Sequence, residues 1–279
     1  PVNDAALLPN YLIERALGEH VTVALNGTGG DELFAGYGRY FQIPVEQAYL
    51  NIPDWVRRGI EKAIGPISPI RAWQLARASL FDTNRGEYIH AHSTHFPPPI
   101  RDLIGNTSPS LPAAQGIATR AFLNAFPSAD LQTAGLAGDI ETYLNEDLLT
   151  LLDRTSMAHS VEGRVPFLDH RLVEASLSIS ASTRTPRQHA KALERKMAQG
   201  LLPDSVLNAP KQGFVSPVPQ WMRNDFGSIA ERILTSKDTL QRGWWTAEGV
   251  QRLLQDPARH GYRVYTLLAL ELSVRMFTD

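Results

Sequence analysis

The 279-residue chain carries 27 lysines and arginines against 29 aspartates and glutamates, a formal net charge of −2 with no basic block, which excludes a nucleic-acid or membrane-surface footprint. It has no cysteine, so disulfides and thiolate chemistry are excluded, and no apolar run approaches the ~20 residues that cross a bilayer. Apolar residues make up 43% of the chain, enough for the core of one or two domains, and the composition is that expected of a cytoplasmic globular enzyme.

In chain order, a helix is predicted from Ala5 to Leu17, stopped at Gly18, followed by a β-type run from Val21 to Leu25 and a second helix beginning near Glu32. Residues 1–40 thus form one αβα piece. Residues 41–134 read as a helical insertion with irregular loops: amphipathic helices from Trp55 to Ile64 and Ala72 to Leu80, a proline-rich stretch from His95 to Pro99, and a turn-rich patch from Gly105 to Pro112. Residues 135–279 form a C-terminal helical part, with helices predicted from Asp139 to Leu152, His170 to Ile179, Gln188 to Gln199 (stopped by Gly200), Val218 to Arg223 and Tyr262 to Phe277. Only one strand is predicted, so the chain is expected to be mostly α.

The most informative segment is the end of that strand, Asn26-Gly27-Thr28-Gly29-Gly30-Asp31-Glu32. Three glycines let the backbone turn sharply and approach a ligand with no Cβ in the way. Two readings stand for it. In one, loop amides meet a pyrophosphate and Asp31 holds Mg²⁺ against its oxygens; in the other, the glycines only make a tight strand-to-helix turn and Asp31 caps the helix. The segment has neither the dinucleotide-binding glycine fingerprint nor the lysine of a P-loop.

Two further segments favour the functional reading. Asp153 to His170 is dense in charge between apolar residues, and charges of this kind, if buried, must pair with each other or with a ligand. Glu162 with Arg164 is read first as a buried ion pair of the scaffold, with Ser156 beside it, whereas Asp153 and Arg154 are placed at a helix end on the substrate side. His159 and His170 are expected to satisfy local hydrogen bonds, since neither has a second histidine at metal-ligand spacing. The third segment, Asn208 to Pro217, holds Lys211 on a loop between prolines and a glycine; its alternative reading is a solvated surface lysine.

Together these segments resemble the ATP-dependent synthetase domain of glutamine-hydrolysing asparagine synthetases. Asn26 to Tyr37 is similar to the family's Ser-Gly-Glu-Gly-x-Asp-Glu-Leu-Phe-x-Gly-Tyr loop, Ser156 to Asp169 to its Ser-Met-Ala-x-Ser-x-Glu-x-Arg-Val-Pro-Phe-Leu-Asp stretch, and Lys211 to Pro217 to its Lys-x-Gly-Phe-x-x-Pro. The resemblance implies an α/β parent fold of the adenine-nucleotide alpha hydrolase-like, PP-loop type, of which this chain holds a small remnant of parallel sheet. It implies ATP and Mg²⁺, with amide formation through an acyl-adenylate: aspartate to asparagine, using ammonia from a glutaminase domain. Lys211 then sits over the phosphates, Asn26, Gly27 and Gly29 meet the nucleotide, Asp31 binds the metal, and Glu32 supports the helix start.

Two departures shape the expectation. The family's N-terminal cysteine and its Ser-Gly-Gly-x-Asp-Ser pyrophosphate loop are absent, so the chain reads as the C-terminal part of the synthetase domain, incomplete at its N-terminus and inactive alone. A strand built for a sheet interior would then present an open edge or take strands from a second copy, as in a homodimer. Moreover, Thr28 stands where the family has a glutamate that handles protons, and a hydroxyl cannot take up a proton near neutral pH. That opens two alternatives: an amidotransferase acting on another carboxylate, such as a sugar acid or peptide, and a non-catalytic nucleotide- or partner-binding module.

Overall fold

In the computed structural model, the structure describes residues 4–80, 95–105, 124, 130–210, 213–214 and 216–278. Its first element, helix Leu7–Gly18, leads into strand β1, Val23–Leu25, shorter than the predicted run. β1 pairs in parallel with a second strand, β2, Glu162–Arg164, in the register Val23↔Glu162, Ala24↔Gly163, Leu25↔Arg164. The second strand is a correction to the sequence reading. With three residues, two of them charged, it has no apolar alternation by which to be recognised. Among the described residues β1 has no other partner strand, and Leu25 is 77% exposed.

Most other elements are helices, as predicted, and the differences lie at their ends. The helix expected from Asp139 is a longer rod: an α-helix Leu131–Asp139, capped by the Asp130 carboxylate accepting from the Thr133 N–H, then a π-helical stretch Ile140–Leu149, then an α-helix Thr150–Met157. Apolar spacing cannot reveal such a change of hydrogen-bond register. The helix predicted from Gln188 to Gln199 shrinks to Ala192–Met197, because Arg187, Gln188 and Lys191 take left-handed backbone angles (φ 54°, 61° and 56°). That broken stretch carries the chain back to helix Gly30–Phe34, where the Lys191 N–H donates to the Phe34 carbonyl at 3.2 Å.

The main core is C-terminal. The 22-residue helix Pro257–Thr278 buries Val264, Leu267 and Leu268 against Val218, Met222, Ala230, Leu234, Val250 and Leu253. Its proline start extends the predicted helix, since proline fits a first turn. Helix Ala247–Gln255 is capped by Thr246 and lies so close to helix Pro98–Ile104 that a Cβ on Gly249 would meet Ile104 backbone at 2.5 Å. A second, smaller cluster of Ala35, Tyr40 and Leu136, with Tyr37 and Leu177 packed against it, lies beside the strand tip. No helix among the described residues is long and apolar enough to cross a membrane.

Candidate active-site cleft

A cleft of about 420 Å³ opens at the tip of β1. Its first wall is the glycine loop. The Asn26 N–H donates to the Arg164 carbonyl at 2.7 Å, continuing the sheet by one bond. The Asn26 side-chain oxygen then accepts from the Thr28 N–H at 2.8 Å and the Thr28 hydroxyl at 2.6 Å, closing an Asx turn. Gly29 follows at φ 98°, and a Cβ there would meet Leu168 at 2.4 Å, so both backbone angle and packing demand glycine.

Helix Gly30–Phe34 starts at this glycine with no side-chain cap, so Asp31 does not cap it. Its carboxylate lies 2.8 Å from the ammonium of Lys191, which also approaches Glu194 at 3.4 Å. Burial pulls the Lys191 ammonium down, but the hydrogen bond and charge of Asp31, helped by Glu194, more than offset it and hold it above its ordinary value.

The floor is acidic and aromatic. Glu32 is 1% exposed and accepts the Tyr37 hydroxyl at 2.5 Å. Burial raises the Glu32 carboxyl, and the bond from Tyr37 only partly offsets it; burial and the Glu32 charge raise Tyr37 in turn. The Arg39 guanidinium lies 4.4 Å from the Tyr37 ring and 4.8 Å from that of Tyr143, a cation–π arrangement on the π-helical stretch. Asp139 accepts a hydrogen bond from its Nε at 2.9 Å, stands in ion-pair contact with a second guanidinium nitrogen at 2.8 Å, and also accepts the Tyr40 hydroxyl. Burial leads the causes that raise Tyr143 to about 12 and, with Asp4 facing it, Asp147 to about 6.

The cleft gathers Asn26, Gly27, Thr28, Gly29, Asp31 and Glu32 in one place, together with Gly213 and Phe214 of the third segment. Lys211 lies outside the described residues. The neighbouring chain is held by Arg195, which donates to the Leu207 and Ala209 carbonyls at 2.6 and 2.9 Å. Asp153 and Arg154 lie instead on an exposed face within helix Thr150–Met157, outside the cleft, because the helix runs past them to Met157. Ser156 is buried. Glu162 and Arg164 do pair, at 2.7 Å, but their side chains are 58% and 59% exposed; the expected burial is not found, since β2 is an edge strand with nothing described beyond it. The His159 Nε2 is buried without a hydrogen-bond partner, and the ring sits edge-on to Tyr11 at 4.5 Å, so aromatic packing replaces the expected polar contact.

Sequence reasoning missed Lys191, Asp4 and Tyr143. All three line the cleft. Lys191 was absorbed into a predicted helix, and only its contact with Asp31 distinguishes it from any other surface-spaced lysine.

Comparison with known proteins bears on this cleft. The Asparagine synthase family model matches residues 1–276. The chain is 28% identical over 276 residues to "Asparagine synthetase [glutamine-hydrolyzing] 1" of Bacillus subtilis, covering 96% of this chain and 42% of that protein. It is 28% identical over 291 residues to "Putative asparagine synthetase [glutamine-hydrolyzing]" of Mycobacterium tuberculosis, covering all of this chain and 43% of that protein. Over 84 residues, 29% of this chain and 15% of the relative, it is 42% identical to "Asparagine synthetase [glutamine-hydrolyzing]" of Homo sapiens. The chain spans less than half the length of the first two. No solved structure matches it. With a glycine loop, a paired aspartate and the family match over almost its whole length, the chain belongs to the asparagine synthase family.

Proposed function

We propose that this chain supplies the strand-tip half of an ATP-dependent amide-forming site in a synthetase domain of the PP-loop type. The observation that carries the reading is the convergence of the Asn26–Asp31 loop and Lys191 on one cleft of about 420 Å³, a size in the ordinary range for small-molecule sites. A carboxylate is a poor acyl donor. In the reaction, a carboxylate oxygen attacks the α-phosphorus of ATP and pyrophosphate leaves; an amine then attacks the acyl-adenylate carbonyl and AMP leaves. The first step needs cations around the departing pyrophosphate, and the second needs a neutral amine.

The residues present suit Mg²⁺. Asp31 offers hard carboxylate oxygens beside the glycine loop, and Mg²⁺ is held by one or two carboxylates with phosphate oxygens completing its shell. No group of three or more candidate metal ligands occurs among the described residues. When bound, Mg²⁺ neutralises the leaving group. Asp31 is its ligand in this reading, Asn26, Gly27 and Gly29 meet the nucleotide through backbone groups, and Lys211 faces the phosphates. Glu32 holds the floor through Tyr37.

For the carboxylate, aspartate is the first reading, with ammonia from a glutaminase domain of the full-length protein. A second reading rests on Thr28. Its hydroxyl is committed to Asn26 and carries no charge, so this position favours an acceptor other than aspartate, such as a sugar acid or peptide. The test is carboxylate-dependent ATP–pyrophosphate exchange by the full-length protein across aspartate, sugar acids and peptides. Exchange with aspartate alone supports the first reading, exchange with another acid alone the second, and silence across the panel leaves a nucleotide- or partner-binding module.

A further inference from the structure

Lys191 occupies the carboxylate that the proposed reaction needs for its metal. Three features hold it there. Its backbone is left-handed (φ 56°), a cost for a non-glycine residue, and is anchored by the N–H donated to Phe34 at 3.2 Å. Its ammonium sits 2.8 Å from Asp31 and 3.4 Å from Glu194. The pair is pressed against bare backbone at Gly36, where a Cβ would lie 2.0 Å from the Asp31 oxygen and 2.8 Å from the Lys191 Cε.

A divalent cation on Asp31 would place like charges side by side in a partly buried cleft, so Lys191 opposes metal that arrives alone. Once displaced, Lys191 keeps Glu194 but loses its closer anion. The same cleft is lined by the glycine loop, so a polyphosphate lying there is within the space Lys191 already faces.

We infer that Lys191 is a counter-ion that couples metal and polyphosphate binding: it resists the metal alone and, when both arrive, exchanges Asp31 for a phosphate oxygen. The inference rests on the metal–polyphosphate reading of the cleft. The test compares full-length wild type, K191M and K191R for binding of Mn²⁺ alone, by electron paramagnetic resonance, and of inorganic pyrophosphate with Mg²⁺, by calorimetry. K191M is expected to bind Mn²⁺ alone about tenfold more tightly and Mg²⁺-pyrophosphate about tenfold more weakly, within the usual range of coupling between two sites. K191R keeps the charge and is expected to follow wild type in resisting Mn²⁺.

Opposite signs are the signature, because a merely structural lysine would weaken both when removed. Both affinities falling together, or neither moving, would overturn the inference. D31N separates the two levels of the argument. Unchanged Mn²⁺ binding in D31N sinks the metal site itself, whereas its loss there, alongside an unmoved K191M, sinks only the counter-ion.

Discussion

The Thr28 hydroxyl donates to the Asn26 carboxamide oxygen across 2.6 Å, and the Thr28 N–H shares that acceptor at 2.8 Å. One side chain therefore shapes the turn at the strand tip. Removing it in Asn26→Ala deletes two hydrogen bonds, a cost of about 1–2 kcal/mol. We expect a lower urea midpoint and weaker nucleotide binding from the same variant. Unchanged ATP affinity in a demonstrably loosened turn would disconnect this loop from the nucleotide.

Asp139 supports the aromatic floor from below. In Asp139→Ala, the Tyr40 hydroxyl, in a residue only 2% exposed, loses its acceptor, at a cost of about 1–3 kcal/mol. Arg39 adds little, because its side chain is 36% exposed and water screens its charge. Urea unfolding checks the sum, and Arg39→Met should cost less than Asp139→Ala. The reverse order would mean that the cation, not the tyrosine, holds the floor.

In helix Pro257–Thr278, fully buried Glu271 accepts from Arg275 at 2.8 Å, Arg242 at 3.0 Å and Thr239 at 2.9 Å. Burial alone would raise its carboxyl, but the bonds from Arg275, Thr239 and Arg242 prevail and hold it below the ordinary glutamate value. A depressed carboxylate contributes stability above the unfolded value and loses it as the pH falls through the folded one. Glu271→Ala should therefore cost about 3 kcal/mol at pH 7 and progressively less in acid. Thermal melts across pH 3 to 7 read this directly, and a penalty independent of pH would contradict it.

Asp147 has the opposite sign. Burial, with Asp4 facing it, raises its carboxyl from 3.8 to about 6, so folding binds its proton more tightly and ionisation works against the fold. The favourable contribution is present below 3.8 and is lost as the pH rises through about 6. Asp147→Asn is expected to stabilise the protein by about 1–3 kcal/mol at pH 8 and to have no effect near pH 3. Equal melting temperatures at pH 8 would show that the carboxyl is better solvated than its position implies.

The pair Glu162–Arg164 is exposed on β2, and Glu162→Gln is expected to leave the melting temperature where it is, in high salt and low. A salt-dependent loss would restore the scaffold role read from the sequence.

Much of this protein is determined by local pattern. The long helices follow from apolar residues three and four apart, and the glycines after Leu25 dictate a sharp turn whatever lies beyond it. The candidate loop was legible for that reason, since Asn26, Gly27, Thr28, Gly29 and Asp31 are neighbours in the chain and their turn chemistry is their own. Burial and pairing across the chain were not legible. Glu162 and Arg164 form an ion pair by proximity alone, but whether it is buried depends on what packs over β2. Asp153 and Arg154 are exposed because their helix continues past them. Lys191 shows the difference most sharply. Nothing within ten residues of it distinguishes it from a helix-surface lysine, yet its own left-handed backbone and those of Arg187 and Gln188 turn the chain back and put its ammonium on Asp31. Periodicity and turn propensity act over a few residues, so the sequence by itself determined the elements and the loop. Which charges meet depends on how distant segments fold together, and only the tertiary structure decided that.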